Sequence, residues 1–193
     1  MVKLPVVLDL ETKYKFSDVN NKRKKLGVSV VGLFDYKSGN GKTFVESEFH
    51  ALFKLLENCS YIIGFNIKTF DIPVLQAYYP GDLTHFPAFD ILDDIRNKLG
   101  KRLALNDLLG PTLGKKKTGH GLMAIDYYRE GKIDELRQYC LDDVMLTKEL
   151  FDYGVRERQV FYLRAVTKTP IVVDWSKYLQ PPKDQQTHLT LPF

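Results

Sequence analysis

The run Val6-Val7-Leu8-Asp9-Leu10-Glu11 limits what this chain can fold into more than any other stretch. It is short, apolar and β-branched, the composition of a buried strand. Side chains two apart in a strand share a face, so Asp9 and Glu11 project on the same side. A strand this apolar belongs at the centre of a sheet, and a central strand rarely carries acids without a partner. The alternative is an edge strand with two solvated carboxylates.

The rest of the chain supplies strands and helices to surround that run. Residues 26–36 (LGVSVVGLFDY) read as a second strand, reached through a basic turn, and residues 42–45 as a third. Over 47–57, Phe49, Leu52, Phe53, Leu55 and Leu56 recur at helical spacing, with Ser47 the expected cap. Residues 61–66 read as another buried strand, followed by a helix carrying Val74, Leu75 and Tyr78. A brief strand over 88–90 comes next. Helical patterns dominate from 91 to about 153, interrupted by a Gly/Pro/Lys loop at 110–119. Residues 159–165 and 170–175 form a hairpin, and from about 180 the chain reads as a mobile tail. The order predicts one mixed sheet with helices on its faces, an α/β or α+β class and a single domain.

Composition excludes several function classes. With 193 residues, 27% charged and 44% hydrophobic, the chain has the balance of a globular protein with a proper core. No apolar run approaches the ~18–20 residues that cross a bilayer. The start, Met1-Val2-Lys3-Leu4-Pro5, lacks a signal-peptide pattern, so a cytoplasmic protein with no membrane partner is expected. Cys59 and Cys140 make no metal or disulfide framework and read as reduced core residues. The net charge of +4 permits a polyanionic partner without demanding one. Its distribution says more: Lys22-Arg23-Lys24-Lys25, residues 98–102 and Lys115-Lys116-Lys117 are basic clusters, each able to track phosphates or simply to solvate a loop.

Two further carboxylates stand where packing alone would not put them. Asp71 opens the helix containing Pro73, where it is either a helix cap or a site residue. In the helix expected over 133–153, Leu136, Cys140, Thr147 and Leu150 mark the inward stripe, and Asp143 falls within it. A lone acid there is costly to bury unless paired or bound to metal. Asp142 points away and reads as solvated. Tyr139, one turn before Asp143, shares its face and is either a core aromatic or part of the site.

Together, Leu8-Asp9-Leu10-Glu11-Thr12, the stretch 64–73 with Asn66 and Asp71, and Tyr139-Cys140-Leu141-Asp142-Asp143 resemble the three motifs of the DnaQ-like 3′–5′ exonucleases of the DEDD superfamily, tyrosine subgroup. The resemblance covers about 6–154 and implies a ribonuclease-H-like fold. It is close to the predicted exonuclease domains associated with helicases, which share the Thr112-Leu113-Gly114 loop. All-carboxylate ligands suit Mg²⁺ or Mn²⁺ rather than zinc. The resemblance implies two such ions, with Asp9 bridging them, Glu11 and Asp143 on one, Asp71 reaching the other through water, and Tyr139 orienting the attacking water. Thr12, Asn66 and Phe70 are then expected near the terminal nucleotide. Lys115, Lys116, Lys117 and His120 are expected along the nucleic acid, although His120 also reads as a structural loop residue.

The chain end, His188-Leu189-Thr190-Leu191-Pro192-Phe193, resembles the bacterial sliding-clamp-binding peptide, with Leu189, Leu191 and Phe193 as its apolar contacts. A frayed tail is the alternative. The expected organisation is a nuclease unit over 1–178 (core about 1–154, hairpin about 159–175) and a tail over 179–193. The expected function is release of 5′-mononucleotides from the 3′ end of DNA, single-stranded by preference. The rivals are an RNA-trimming nuclease or structure-specific endonuclease on the same fold, and a non-catalytic nucleic-acid or clamp adaptor. A helicase or polymerase is a further expected partner.

Overall fold

The computed structural model describes residues 2–117, 119 and 121–180; His120 and the clamp-like peptide with Leu189, Leu191 and Phe193 lie outside the described residues. Five strands, β1 (Val6–Thr12), β2 (Val28–Asp35), β3 (Asn40–Phe44), β4 (Ile62–Gly64) and β5 (Ala88–Asp90), form one sheet in the order β3-β2-β1-β4-β5. β1 is therefore central. It pairs antiparallel with β2 and parallel with β4, and β5 adds a second parallel pair. Helices cover both faces, giving the mixed α/β architecture the sequence predicts.

The pleat of β1 sorts its side chains. Leu8 and Leu10 join Leu33, Ile62 and residues of α1 (Phe49–Glu57) and α2 (Asp71–Leu75) in one core. Val7 points the other way, into a second core with Ile63, Phe89, Val144 and Phe151. Asp9 and Glu11 follow Val7 by two and four residues, so they emerge on this second face. That face is covered by α3 (Ile91–Leu99), α4 (Leu105–Leu113) and the 25-residue α6 (Ile133–Glu157), with α5 (Gly121–Arg129) packed on α6. Opposite Glu11 and Thr12 the β2 register shifts by one residue, a bulge at the rim beside the acids.

Three local expectations are corrected. Ser47 does not cap α1: it lies inside a 3-10 turn, Glu46–Glu48, and the Glu48 carboxylate accepts the Val45 N–H at 2.8 Å. The break expected at 110–119 begins later, because α4 runs through Pro111 to Leu113. Leu108 and Leu109 are fully buried and Thr112 binds the hairpin, so packing holds the last turn against the lost proline donor. Gly114, at φ 69°, terminates the helix, making Thr112-Leu113-Gly114 a helix end rather than a loop.

The hairpin is present, but its second strand starts earlier than expected: β6 (Gln159–Arg164) pairs with β7 (Thr167–Val172). Pro170 fits inside β7 because its partner Phe161 turns its polar groups elsewhere. The Phe161 N–H and carbonyl both bind the Thr112 hydroxyl, at 2.9 and 3.1 Å, so no ladder bond is asked of the proline. Trp175 closes the assembly, stacked parallel to Phe151 and donating its indole N–H to Asp94 at 2.9 Å. Cys59 and Cys140 are buried and free. Among the described residues, no helix is long and apolar enough to cross a membrane.

Candidate active site

The site is assembled where α6 crosses the end of β1. Asp9 lies directly opposite Gly32 of β2, and α6 descends onto that glycine. A Cβ at Gly32 would sit 2.8 Å from Val144 and 2.9 Å from the Cys140 sulfur, so only glycine lets the helix approach this closely. The Cys140 thiol faces the Asp9 carbonyl at 3.7 Å. One turn along, Asp143 reaches the strand acids. Asp9, Glu11 and Asp143 each offer a carboxylate oxygen within 4.8 Å of the others.

Three carboxylates this close, with little water, resist full ionisation. Burial pushes the Asp9 carboxyl up to about 7, and the neighbouring Asp143 adds to the rise. Glu11 is raised well above its ordinary range by burial and then by Asp9. Asp143 is also raised, again chiefly by burial. The opposing charge is Lys117, whose ammonium lies 2.6 Å from Asp143 Oδ2 as an ion pair. This lysine is held in place by its backbone N–H, which donates to Asn106 at 2.9 Å.

Asp71 takes a different position. It stands outside the 4.8 Å cluster and is almost fully buried. It does not cap α2, of which it is the first residue; Phe70 holds the cap position and makes no side-chain bond there. Instead, Asp71 Oδ1 accepts the Leu10 N–H at 3.1 Å. The registered β1–β4 pairs end at Val7 and Ile63, so the carboxylate continues on β1 where the neighbouring strand has stopped. Burial, then the Asp9 charge, raises it well above the usual carboxylate range.

Tyr139 is buried one turn from Asp143, its ring edge-on to Tyr127. Burial, then Asp143, keeps its phenol protonated at any working pH. Asp142, half-buried, accepts from the Gln138 amide at 2.7 Å.

One residue that sequence reasoning missed organises the opposite side. Asp90, at the end of β5, accepts the N–H groups of Asn66 at 2.8 Å, Lys68 at 3.0 Å and Leu92 at 3.0 Å. It thus caps α3 and, at the same time, clamps the loop leading to Asp71. The available signal was an acid immediately before an apolar-periodic helix; its grip on Asn66 and Lys68, 24 and 22 residues away, has no sequence signature.

The expected nucleic-acid residues separate into groups. Thr12 and Phe70 line a cleft of about 290 Å³ beside the acids, together with Tyr14, Phe16 and Leu122. Asn66 holds a left-handed conformation, φ 69°, and its side-chain oxygen accepts from Thr69, so it shapes the loop. Of the lysine loop, Lys117 enters the acid cluster, Lys115 pairs with Glu149 at 2.5 Å, and Lys116 is exposed.

A family model of the RNase_H superfamily matches residues 6–155. The chain belongs to that superfamily. The match spans the five strands of the main sheet and all but the last two residues of α6, and stops before the hairpin. Among solved structures, the chain is similar to the family B DNA polymerase from the hyperthermophilic archaeon Pyrobaculum calidifontis, with 15% identity and a TM-score of 0.56. That alignment covers 78% of this chain and only 24% of the polymerase, so the likeness is one of fold over a fraction of the larger protein. No curated protein matches the sequence. The fold is a nuclease fold, for which the substrate class is nucleic acid and the cofactor a divalent metal. The donor set fits such an ion: hard carboxylate oxygens, clustered, raised by burial and already holding a cation.

Proposed function

We propose that the chain is a divalent-metal-dependent 3′–5′ exonuclease that removes 5′-mononucleotides from DNA, preferring a single-stranded end. The observation that carries this reading is the convergence of Asp9, Glu11 and Asp143 from a central strand and a crossing helix. Asp9, Glu11 and Asp143 would hold Mg²⁺ or Mn²⁺, with Asp71 acting through water. When bound, two such ions supply charge neutralisation for the attacking and leaving oxygens of a phosphodiester. The motif order of the sequence supports the 3′–5′ polarity, and the likeness to a DNA polymerase favours DNA over RNA.

The protein groups then have separate tasks. The protonated Tyr139 hydroxyl orients the attacking water by hydrogen bond and need not ionise. Asp71 ties the site to the Leu10 backbone, and Phe70 offers a face for the terminal base. Lys117 balances the acids in the free protein and is placed to meet a phosphate. We assign the nuclease unit to residues 1–178, with the β6–β7 hairpin near its end.

The test is digestion of 5′-labelled single-stranded DNA and RNA with Mg²⁺, Mn²⁺ or EDTA, alongside Asp143→Ala. A metal-dependent ladder shortening from the 3′ end is expected, reduced about 10³-fold or more in the variant. Activity of Asp143→Ala within a few-fold of the parent rejects the site.

A further inference from the structure

The connection between β1 and β2 packs against α2 and leaves a cleft of about 960 Å³ that the acid cluster does not use. Lys22, Arg23, Lys24 and Lys25 form one wall, Ile72 and Pro73 of α2 with Gln76 just after it the other, and no carboxylate lines it. All four cations are exposed, and among the described residues none of their side chains has an ion-pair partner. The wall is nevertheless anchored: Leu26, directly after the cations, is 1% exposed in the core. Four unpaired cations on a fixed turn cost self-repulsion, which a polyanion would relieve.

The cleft meets the smaller cleft beside Glu11 at one residue. Phe16 lines both this cleft and the smaller one containing Thr12 and Phe70, and is 40% exposed. Its ring lies 6.0 Å from that of Phe70, tilted, so two aromatic faces lead from the acids towards the basic wall. The other basic cleft is a weaker candidate. It is lined by Lys115 and Lys116 but also by Asp107, and Lys115 spends its charge on Glu149.

We propose that the cleft between Lys22–Lys25 and α2 holds the upstream nucleotides of a single strand whose 3′ end reaches the acid cluster. The proposal rests on the exonuclease reading for its direction and names the path of the substrate. The cations meet phosphates, and Phe16 stacks on a base at the bend between the two clefts. A single strand fits because stacking on Phe16 needs an unpaired base.

The test is fluorescence anisotropy with a labelled oligothymidylate in EDTA, where binding is read without cleavage. Joint replacement Lys22→Gln, Arg23→Gln, Lys24→Gln and Lys25→Gln should weaken binding at least about tenfold and flatten the log–log salt slope by about 3. Phe16→Ala, compared at a temperature where a thermal melt shows both proteins folded, should weaken it about tenfold. The control Lys54→Gln with Arg102→Gln removes exposed charge elsewhere and should stay within about twofold. Binding of the neutralised protein equal to the parent overturns the proposal. So does a loss confined to a blunt duplex, or displacement of the oligonucleotide by polyglutamate at equal charge, which would mark a protein-docking surface. A parent that binds through this cleft but cleaves nothing would retire the exonuclease reading and leave the cleft assignment standing.

Discussion

The acids of the site arrive from two sides of β1 that are built on different principles. On the α6 side, position is set by packing: Cys140 and Val144 are fully buried and pressed onto Gly32, and Asp143 has little freedom to be elsewhere. On the β4–α2 side, position is set by hydrogen bonds. A short helix of five residues begins with Asp71, and the loop before it hangs on the oxygens of Asp90. Packing spreads its energy over many atoms, whereas a carboxylate that gathers backbone donors concentrates it in one residue. The α2 side should therefore fail at a single substitution far more readily than the α6 side.

Asp90→Asn is the sharpest way to break that comparison. The amide keeps the size but turns an NH₂ group towards the Lys68 N–H, leaving a part-buried donor unsatisfied at a cost of roughly 1 kcal/mol. That corresponds to a melting point about 2–4 °C lower per kcal/mol for a chain of this size. Activity should fall about 10- to 100-fold, because the Asp71 loop loses its clamp although Asp9, Glu11, Asp71 and Asp143 all remain. Steady-state cleavage of labelled DNA beside a thermal melt checks both. Undiminished turnover would mean that packing, not Asp90, holds this side.

The α6 side is vulnerable through charge instead. Asp9 rises from 3.8 to about 7 in the folded protein. Between those values the folded state keeps a proton that the unfolded chain has released, so metal-free stability falls as pH rises across this window. Lys117 opposes the rise, so Lys117→Met should steepen the fall in melting point between pH 5 and 7.5 in EDTA. It should also raise Mn²⁺ affinity about tenfold, since one cation no longer competes with another for the same carboxylates. Titration calorimetry on the protein alone reads this without turnover. Equal Mn²⁺ affinity in the two proteins would show that the lysine and the ion occupy separate ground.

The two sides were also unequally legible in the sequence. Asp9 and Glu11 stood out because a period of two in an apolar run leaves no solvated face for them, and Asp143 because it interrupts a helical stripe. Those are packing signals, and packing built that side. Asp71 looked like a helix cap because the local pattern of an acid followed by proline is the same whether its carboxylate turns inward or back on its own helix. Asp90 was hidden in a three-residue strand, its partners set by topology. Lys117 shared a loop with two other lysines, and no periodicity separates one that enters an acid cluster from neighbours that pair with Glu149 or face solvent. The central place of β1 followed from the same hydrophobicity that exposed its acids, whereas the order of the other strands had no such signal.

Tyr139→Phe should give the smallest effect, and it tests whether the α6 side contributes anything beyond position. The ring is buried against Tyr127 and makes the same contacts with or without its hydroxyl, so folding and metal affinity should be unchanged. Only the hydrogen bond to the attacking water would be lost, a difference of about three- to fivefold in kcat with little change in KM. Because the phenol stays protonated well above neutrality, the variant should follow the parent's pH profile rather than shift it. A lowered melting point with proportionate loss of KM and kcat would instead make Tyr139 a core aromatic. The α6 side would then act through Asp143 and Lys117 alone.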